Sequence, residues 1–310
     1  MGTHISLNRL DEARSTYQEA IRKKLGENST LHANMYWLAF LEGDTSEMDR
    51  QVAWATGKPG AEDFLDALAS DTEAFHGRLA KARDFSRRAV EFDERNDQKE
   101  TAAIWESLAA LHEAEFGNAE QARAAAAEGL TLASTHDSQI LAALVFAESG
   151  DAARAEKMAD DLAKRHPDDT LVNLYWLPSI RAAIELDRKN PAKAIELLKA
   201  ALQYELSSPS PAVSVGGPLI PPYIRGESYL LAKQGPEAAA EFQKLIDRNY
   251  LVGNYPLGAL AHLGLARAYA EQGDAAKARV AYQDFFALWK DADANIPVLI
   301  AAKAEYAKLK

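Results

Sequence analysis

Between Ala259 and Phe285 the apolar residues fall on two helical stripes separated by one break. Leu265, Ala266 and Tyr269 share one face, Gly273-Asp274 interrupts, and Ala278, Tyr282 and Phe285 then follow at the i, i+4, i+7 spacing of a second helix. Helices joined by so short a turn lie antiparallel, with small residues where the axes come closest and bulk on the flanks, as Ala266 and Ala278 stand beside Tyr269 and Tyr282. The pattern recurs. Taking the small residue that opens each second helix as marker, it stands at Ala13, Met48, Ala82, Ala122, Ala155, Ala194, Ala238 and Ala278, in steps of 33 to 44 residues. Turn residues precede most markers: Gly43-Asp44, Gly77, Gly117-Asn118, Gly150-Asp151, Asn190-Pro191, Gly235-Pro236 and Gly273-Asp274. The expected fold is therefore all-α, a superhelix of about seven to eight helical hairpins.

Taken in order, MGTHIS at 1–6 reads as a tag or the remnant of a cut, and a single repeat domain spans 7–310. A first helix runs from about Asn8 to Lys24, without a partner before it. An aromatic-rich pair follows at 31–55, then two degenerate pairs between Ala61 and Phe92, then better-formed pairs to Arg165. Pro178 stands inside a helical stripe and predicts a kink or a helix restart. The segment 207–222, SSPSPAVSVGGPLIPP, is the Pro/Gly/Ser-rich stretch of the chain and reads as a long loop, either mobile or laid over the groove. Residues 297–310 form a capping helix with Leu299, Ala302, Tyr306 and Leu309 on one stripe.

Small-x-x-Tyr, eight residues, Ala, three residues, aromatic resembles the tetratricopeptide signature. That resemblance implies a solenoid whose first helices line a concave groove, and counting from the signature puts Trp37, Trp176, Tyr223, Glu227 and Arg267 at groove positions. Large aromatic and charged side chains there are the usual ligand contacts, with the C-terminal half of the groove forming an aromatic strip edged by opposite charges. Longer phrases, among them LYWLPSIRAAIEL, PPYIRGESYLLAKQGPEAAAEFQKLIDR and IPVLIAAKAEYAKLK, resemble the C-terminal tetratricopeptide region of bacterial eukaryotic-like serine/threonine protein kinases. In that family the repeats follow a kinase domain, often across a membrane-spanning segment, and sense or recruit partners. The chain carries no glycine-rich phosphate loop, His-Arg-Asp loop or Asp-Phe-Gly motif, so the resemblance implies the non-catalytic half and transfers no catalytic residue.

Composition narrows the chemistry. A net charge of −11 repels phosphate backbones and anionic lipid, so the expected partner is a protein or peptide rather than nucleic acid, and no stretch is long and apolar enough to insert in a membrane. Cysteine is absent, which removes disulfides, thiolate ligands and cysteine nucleophiles. The seven histidines show no paired ligand spacing, so neither a metal nor a cofactor is expected; His112-Glu113 with Glu115 comes nearest, and both glutamates read as helix-surface charges. The chain is expected to be a non-catalytic scaffold, with an α/α-scaffold enzyme or a self-association region as the alternatives. A deep pocket with paired carboxylates would favour the enzyme, a continuous open groove the binder, and an apolar patch at the N-terminal edge self-association. Compartment, cytoplasmic or extracytoplasmic, and oligomeric state stay open.

Overall fold

Small residues set the spacing of the helices. In the computed structural model, which describes residues 1–25, 28–207 and 219–309, all eight marker residues are buried where one helix crosses its partner. The hairpins are α1 (Gly2–Ser6) with α2 (Leu10–Arg22), α3 (Ser29–Glu42) with α4 (Thr45–Ala55), and α5 (Glu62–Phe75) with α6 (Leu79–Arg95). They continue as α7 (Lys99–Glu115) with α8 (Ala119–Leu132), α9 (His136–Glu148) with α10 (Ala152–Arg165), and α11 (Leu177–Asp187) with α12 (Pro191–Leu198). After α13 (Ile220–Leu231) and α14 (Gly235–Asp247), a short α15 (Asn249–Val252) leads to α16 (Leu257–Glu271), α17 (Ala275–Leu288) and the cap α18 (Pro297–Tyr306). Among the described residues there is no strand, and the fold is the all-α solenoid expected. First helices pack on one another in succession, α7 on α9, α9 on α11, α11 on α13, while each second helix packs on the first helices beside it, so the first helices form the inner layer.

Turn chemistry follows the sequence closely. Asp44, Asp151 and Asp274 accept from the N–H groups of Glu47, Arg154 and Lys277 at 3.0, 3.2 and 3.1 Å, satisfying donors that a helix start leaves open. The stripe around Pro178 restarts as expected: a π-helical turn at Val172–Trp176 widens the backbone ahead of the proline in the first turn of α11, and Ser179 Oγ donates to the carbonyl of Tyr175 at 2.7 Å. Gly2–Ser6 form a helical turn that packs on α2, so the helix expected to lack a partner before it has a short one, whose Ile5 is fully buried beside Met35 and Trp37.

Two expectations are corrected. Ala61 to Phe92 holds one hairpin rather than two, because α5 is buried almost throughout and carries Asp63, Asp66, Ser70, Asp71 and Thr72 inside, which masks its apolar period. The loop expected over 207–222 lies outside the described residues at 208–218, and its end is helical: Leu219, buried with φ +52°, caps α13, and Pro221 and Pro222 sit in that helix's first turn, where a missing N–H costs nothing.

The array also closes on itself. Residues 253–258 and 289–298 return to the inner ends of α3, α5 and α7. Asn254 Nδ2 donates to the Leu68 carbonyl at 2.7 Å and to Thr72 Oγ1 at 3.0 Å, and Trp289 Nε1 donates to the Phe75 carbonyl at 2.9 Å. Asp293 N donates to the Gly77 carbonyl at 3.0 Å and Val298 N to the Phe116 carbonyl at 3.2 Å. Phe75, Gly77 and Phe116 lie at the ends of α5 and α7, whose last carbonyls lack intrahelical partners, so the returning chain caps them. Gly77 has a second reason to be glycine here: at φ +70° a Cβ would stand 2.7 Å from Trp289 and from Ala292.

Candidate functional site: an acidic pocket on the inner face

Beyond the closing seam the same row of inner helix ends continues uncovered. A pocket of about 360 Å³ opens there, walled by Glu115 of α7, Glu148 of α9, Asp187 of α11 and Tyr223, Glu227 and Leu231 of α13. Glu115, Glu148 and Asp187 are each the last residue of their helix, where the dipole's negative end disfavours a carboxylate. Four acids thus converge, and at three of them, Glu115, Glu148 and Glu227, burial disfavours charge.

Their hydrogen bonding is incomplete. Tyr255 OH donates to Glu115 Oε1 at 2.9 Å, while Glu115 Oε2 and Glu227 Oε1 are shielded from solvent without any partner. Burial, followed by the charge of Glu227, pushes Glu148 up to about 8. Burial first and then the Glu148 charge hold Glu115 well above the usual carboxylate range, and burial raises Glu227 against the opposing pull of Arg267. Tyr223 is raised as well, by burial and then by the Glu227 charge. Perturbed titratable groups gathered in one concavity mark a candidate site with unspent binding capacity.

A larger cavity, about 660 Å³, lies along the seam between α3–α6 and the end of α17, but none of its lining side chains holds a buried polar atom without a partner: Tyr36 OH donates to Thr72 Oγ1 at 2.8 Å, Arg78 pairs with Glu73, and His76 meets the Leu288 carbonyl at 3.3 Å. The unspent chemistry is in the acidic pocket.

Of the five expected groove residues, Tyr223 and Glu227 line this pocket. Arg267 stands behind it. Its guanidinium donates to both oxygens of Glu305 at 2.9 and 3.1 Å, tying α16 to α18, and Tyr282 OH donates to the same carboxylate at 2.8 Å. Burial works against that carboxylate's charge, but these hydrogen bonds and the Arg267 charge hold Glu305 below its ordinary value. Trp37 and Trp176 are corrected from groove surface to core, both 2 % exposed. Trp37 lies under Ile5 and against Gly253, where even a Cβ would come 2.6 Å from its Nε1; Trp176 packs edge-on against Tyr175, 5.1 Å between ring centroids. The residue count placed both on inner helices, and the seam and the π turn then covered them.

Glu115, read as a surface charge, is a correction in the other direction, and Glu148 was passed over. A signal existed: each stands two residues before the glycine that ends its helix, in Glu-Phe-Gly and Glu-Ser-Gly, so the two acids fall in one register of the repeat. Glu113 is buried, held by two hydrogen bonds from Arg83 at 2.6 and 2.9 Å. Among the described residues no group of three or more histidines and carboxylates is arranged to hold a metal ion, and no helix is long and apolar enough to cross a membrane.

Residues 260–291 match the tetratricopeptide repeat family. The match covers one hairpin, α16 with α17. Among solved structures, a tetratricopeptide repeat protein from Parabacteroides merdae ATCC 43184 is 12 % identical over 96 % of this chain and 99 % of its own, with a TM-score of 0.48. Yeast Tom70 is 14 % identical over 97 % of this chain and 58 % of its own, TM-score 0.44. An IFIT1 monomeric mutant solved with m7Gppp-AAAA is 17 % identical over 97 % of this chain and 75 % of its own, TM-score 0.48. No curated protein matches the sequence.

Proposed function

We propose that the chain is a non-catalytic protein-interaction scaffold that holds a peptide or protein segment in the inner pocket between α7, α9, α11 and α13. The observation that carries this reading is the pocket itself, built by four successive inner helices and left with polar groups that no part of the described chain satisfies. The net charge of −11 and the acids lining the pocket favour a polypeptide over a phosphate-bearing partner. On the likeness of its longer phrases, the scaffold is the sensing or recruiting region of a bacterial signalling kinase. The test is site-specific photocross-linking. A photoreactive residue at Leu231, on the pocket rim, should yield a discrete protein adduct in cells of the source organism, and one at Val280, exposed on α17, should not. Equal labelling at both positions would refute the pocket as the recruiting surface.

A second reading, an enzyme on an α/α scaffold, is favoured by one observation. Glu148, pushed up to about 8 beside Glu227, keeps its proton at neutral pH as a general acid must. The two readings part on the fate of the captured molecule: a scaffold returns its partner unchanged in mass, and an enzyme returns a product.

A further inference from the structure

The chain shows on its own body what this surface binds. At the ends of α5 and α7 the occupants are donors, each aimed at a helix-end oxygen: Trp289 Nε1 to the Phe75 carbonyl, Asp293 N to that of Gly77, Val298 N to that of Phe116, and Tyr255 OH to Glu115 Oε1. Glu115 is the boundary. One of its oxygens belongs to this seam and the other, without a partner, to the pocket. Past it, among the described residues, nothing donates to the Glu148 or Asp187 carboxylates or to the main-chain oxygens of Glu148, Gly150, Asp187 and Lys189. The pocket thus continues an interface already occupied, with the same helix-end acceptors and a higher density of acid.

We propose that the pocket receives a partner polypeptide through a lysine or arginine side chain seated between Glu148 and Glu227, with the segment's backbone N–H groups capping the open ends of α9 and α11. The inference rests on the scaffold reading in taking the occupant to be a polypeptide. A cation satisfies these groups better than a neutral donor, because its charge would draw the raised carboxyls into their ionised form. Glu115, Glu148, Asp187 and Glu227 face the pocket against Lys189 alone, and Arg267, the nearest other cation, is committed to Glu305. The remaining wall suits the stem of such a side chain, because Ala147, Ala183, Leu186 and Ile224 offer apolar surface to methylenes while the head reaches the carboxylates. At about 360 Å³ the space is near the lower end of the ~300–1,000 Å³ range of ligand pockets, fitting one long side chain and its neighbours rather than a folded domain.

The experiment pans a phage-displayed random dodecapeptide library on the full chain and measures the enriched peptides, made synthetically, by calorimetry. Enriched sequences should carry one fixed Lys or Arg flanked by apolar residues. Replacing that residue by norleucine or citrulline, or the protein by its Glu148→Gln/Glu227→Gln variant, should each weaken binding at least tenfold. Both substitutions remove buried charge, so the variant should melt no lower than wild type at pH 8, and circular dichroism checks that it is folded. Peptides that cross-link at position 231 yet bind the variant as tightly as wild type, or that carry no cation, would overturn the cationic anchor and leave the scaffold reading standing. No enrichment at all, together with no adduct at position 231, would overturn both.

Discussion

The seam makes a prediction that an open solenoid does not. Trp289, 3 % exposed, packs against Phe116 and Phe285 at 5.0 and 4.8 Å between ring centroids and donates its indole N–H to the Phe75 carbonyl. Trp289→Ala removes a buried aromatic, a loss of about 3–5 kcal/mol, and leaves that carbonyl without its donor, a further ~1 kcal/mol. Trp289→Phe keeps most of the packing and isolates the second loss. Nearest-neighbour coupling in an open array would confine the damage to α16–α18. Here hydrogen exchange followed by mass spectrometry should show loss of protection where α5 ends, around Phe75 to Gly77, as well as in α16–α18, with α9–α12 least affected. Phe242→Ala is the control: fully buried against Gly226 and Gly264, it should weaken α13–α16 by a similar amount and leave the end of α5 protected. If Trp289→Ala left exchange at residues 70–80 unchanged, the seam would contribute nothing to stability and the closed description would be wrong.

Three further predictions follow from the turns and the buried charges. Asp93, fully buried, accepts from Trp105 Nε1 at 2.9 Å and is pushed up to about 7 by burial and then by the Asp63 charge. The folded state therefore holds this proton more tightly than the unfolded chain, whose aspartates titrate near ~3.9, so the stabilisation is complete below that pH and lost as pH rises to about 7; urea melts from pH 4 to 8 should show Asp93→Asn flattening this decline, and an unchanged slope would remove Asp93 as its source. Gly77→Ala should cost well over the ~1–2 kcal/mol of a left-handed alanine, because its Cβ also meets Trp289, whereas Gly43→Ala, with φ +72° and open space around it, should cost only that strain; equal shifts in thermal melts would dispose of the clash. Arg267→Met should loosen α18 by about 1–2 kcal/mol, between the values of exposed and buried pairs, since both partners are partly solvated, and should deprotect residues 297–306 first; intact protection of the cap would rule that pair out as its anchor.

How much of this was legible depends on the range of the interaction. Hairpin spacing is local: a buried Ala278 or Ala155 and a turn at Gly273 or Gly150 are set by neighbours within a few residues, and period and turn chemistry record them directly. The stripe of Leu299 and Ala302 in α18 is local in the same way, and the two are buried together. Burial imposed from across the array was not. Trp37 is covered by Gly253 and by Ile5, and nothing near Trp37 in the sequence announces either. The α5 helix misled because its acids and hydroxyls face inward, where Ser70 donates to the Ala82 carbonyl and Asp66 meets Arg88, so the polar face is not the solvent face. Glu227 was reached by counting from the signature, while Glu115 fell to the ordinary reading of an acid on a helix as surface charge and Glu148 went unread.

Closure and pocket are connected through one residue. If the row of inner helix ends were open along its whole length, a partner could slide along it in several registers, because each repeat offers similar acceptors. The returning chain removes that freedom by occupying the ends of α5 and α7, and it does so with donors that leave Glu115 half satisfied at the border. What remains is a short site with one fixed end. Carboxylates at the C-terminal ends of helices are costly to stability, and burial adds to that cost, so their presence in successive repeats is not explained by folding alone. A cation arriving from a partner would relieve them together, which places the acids where binding, rather than the isolated chain, satisfies them.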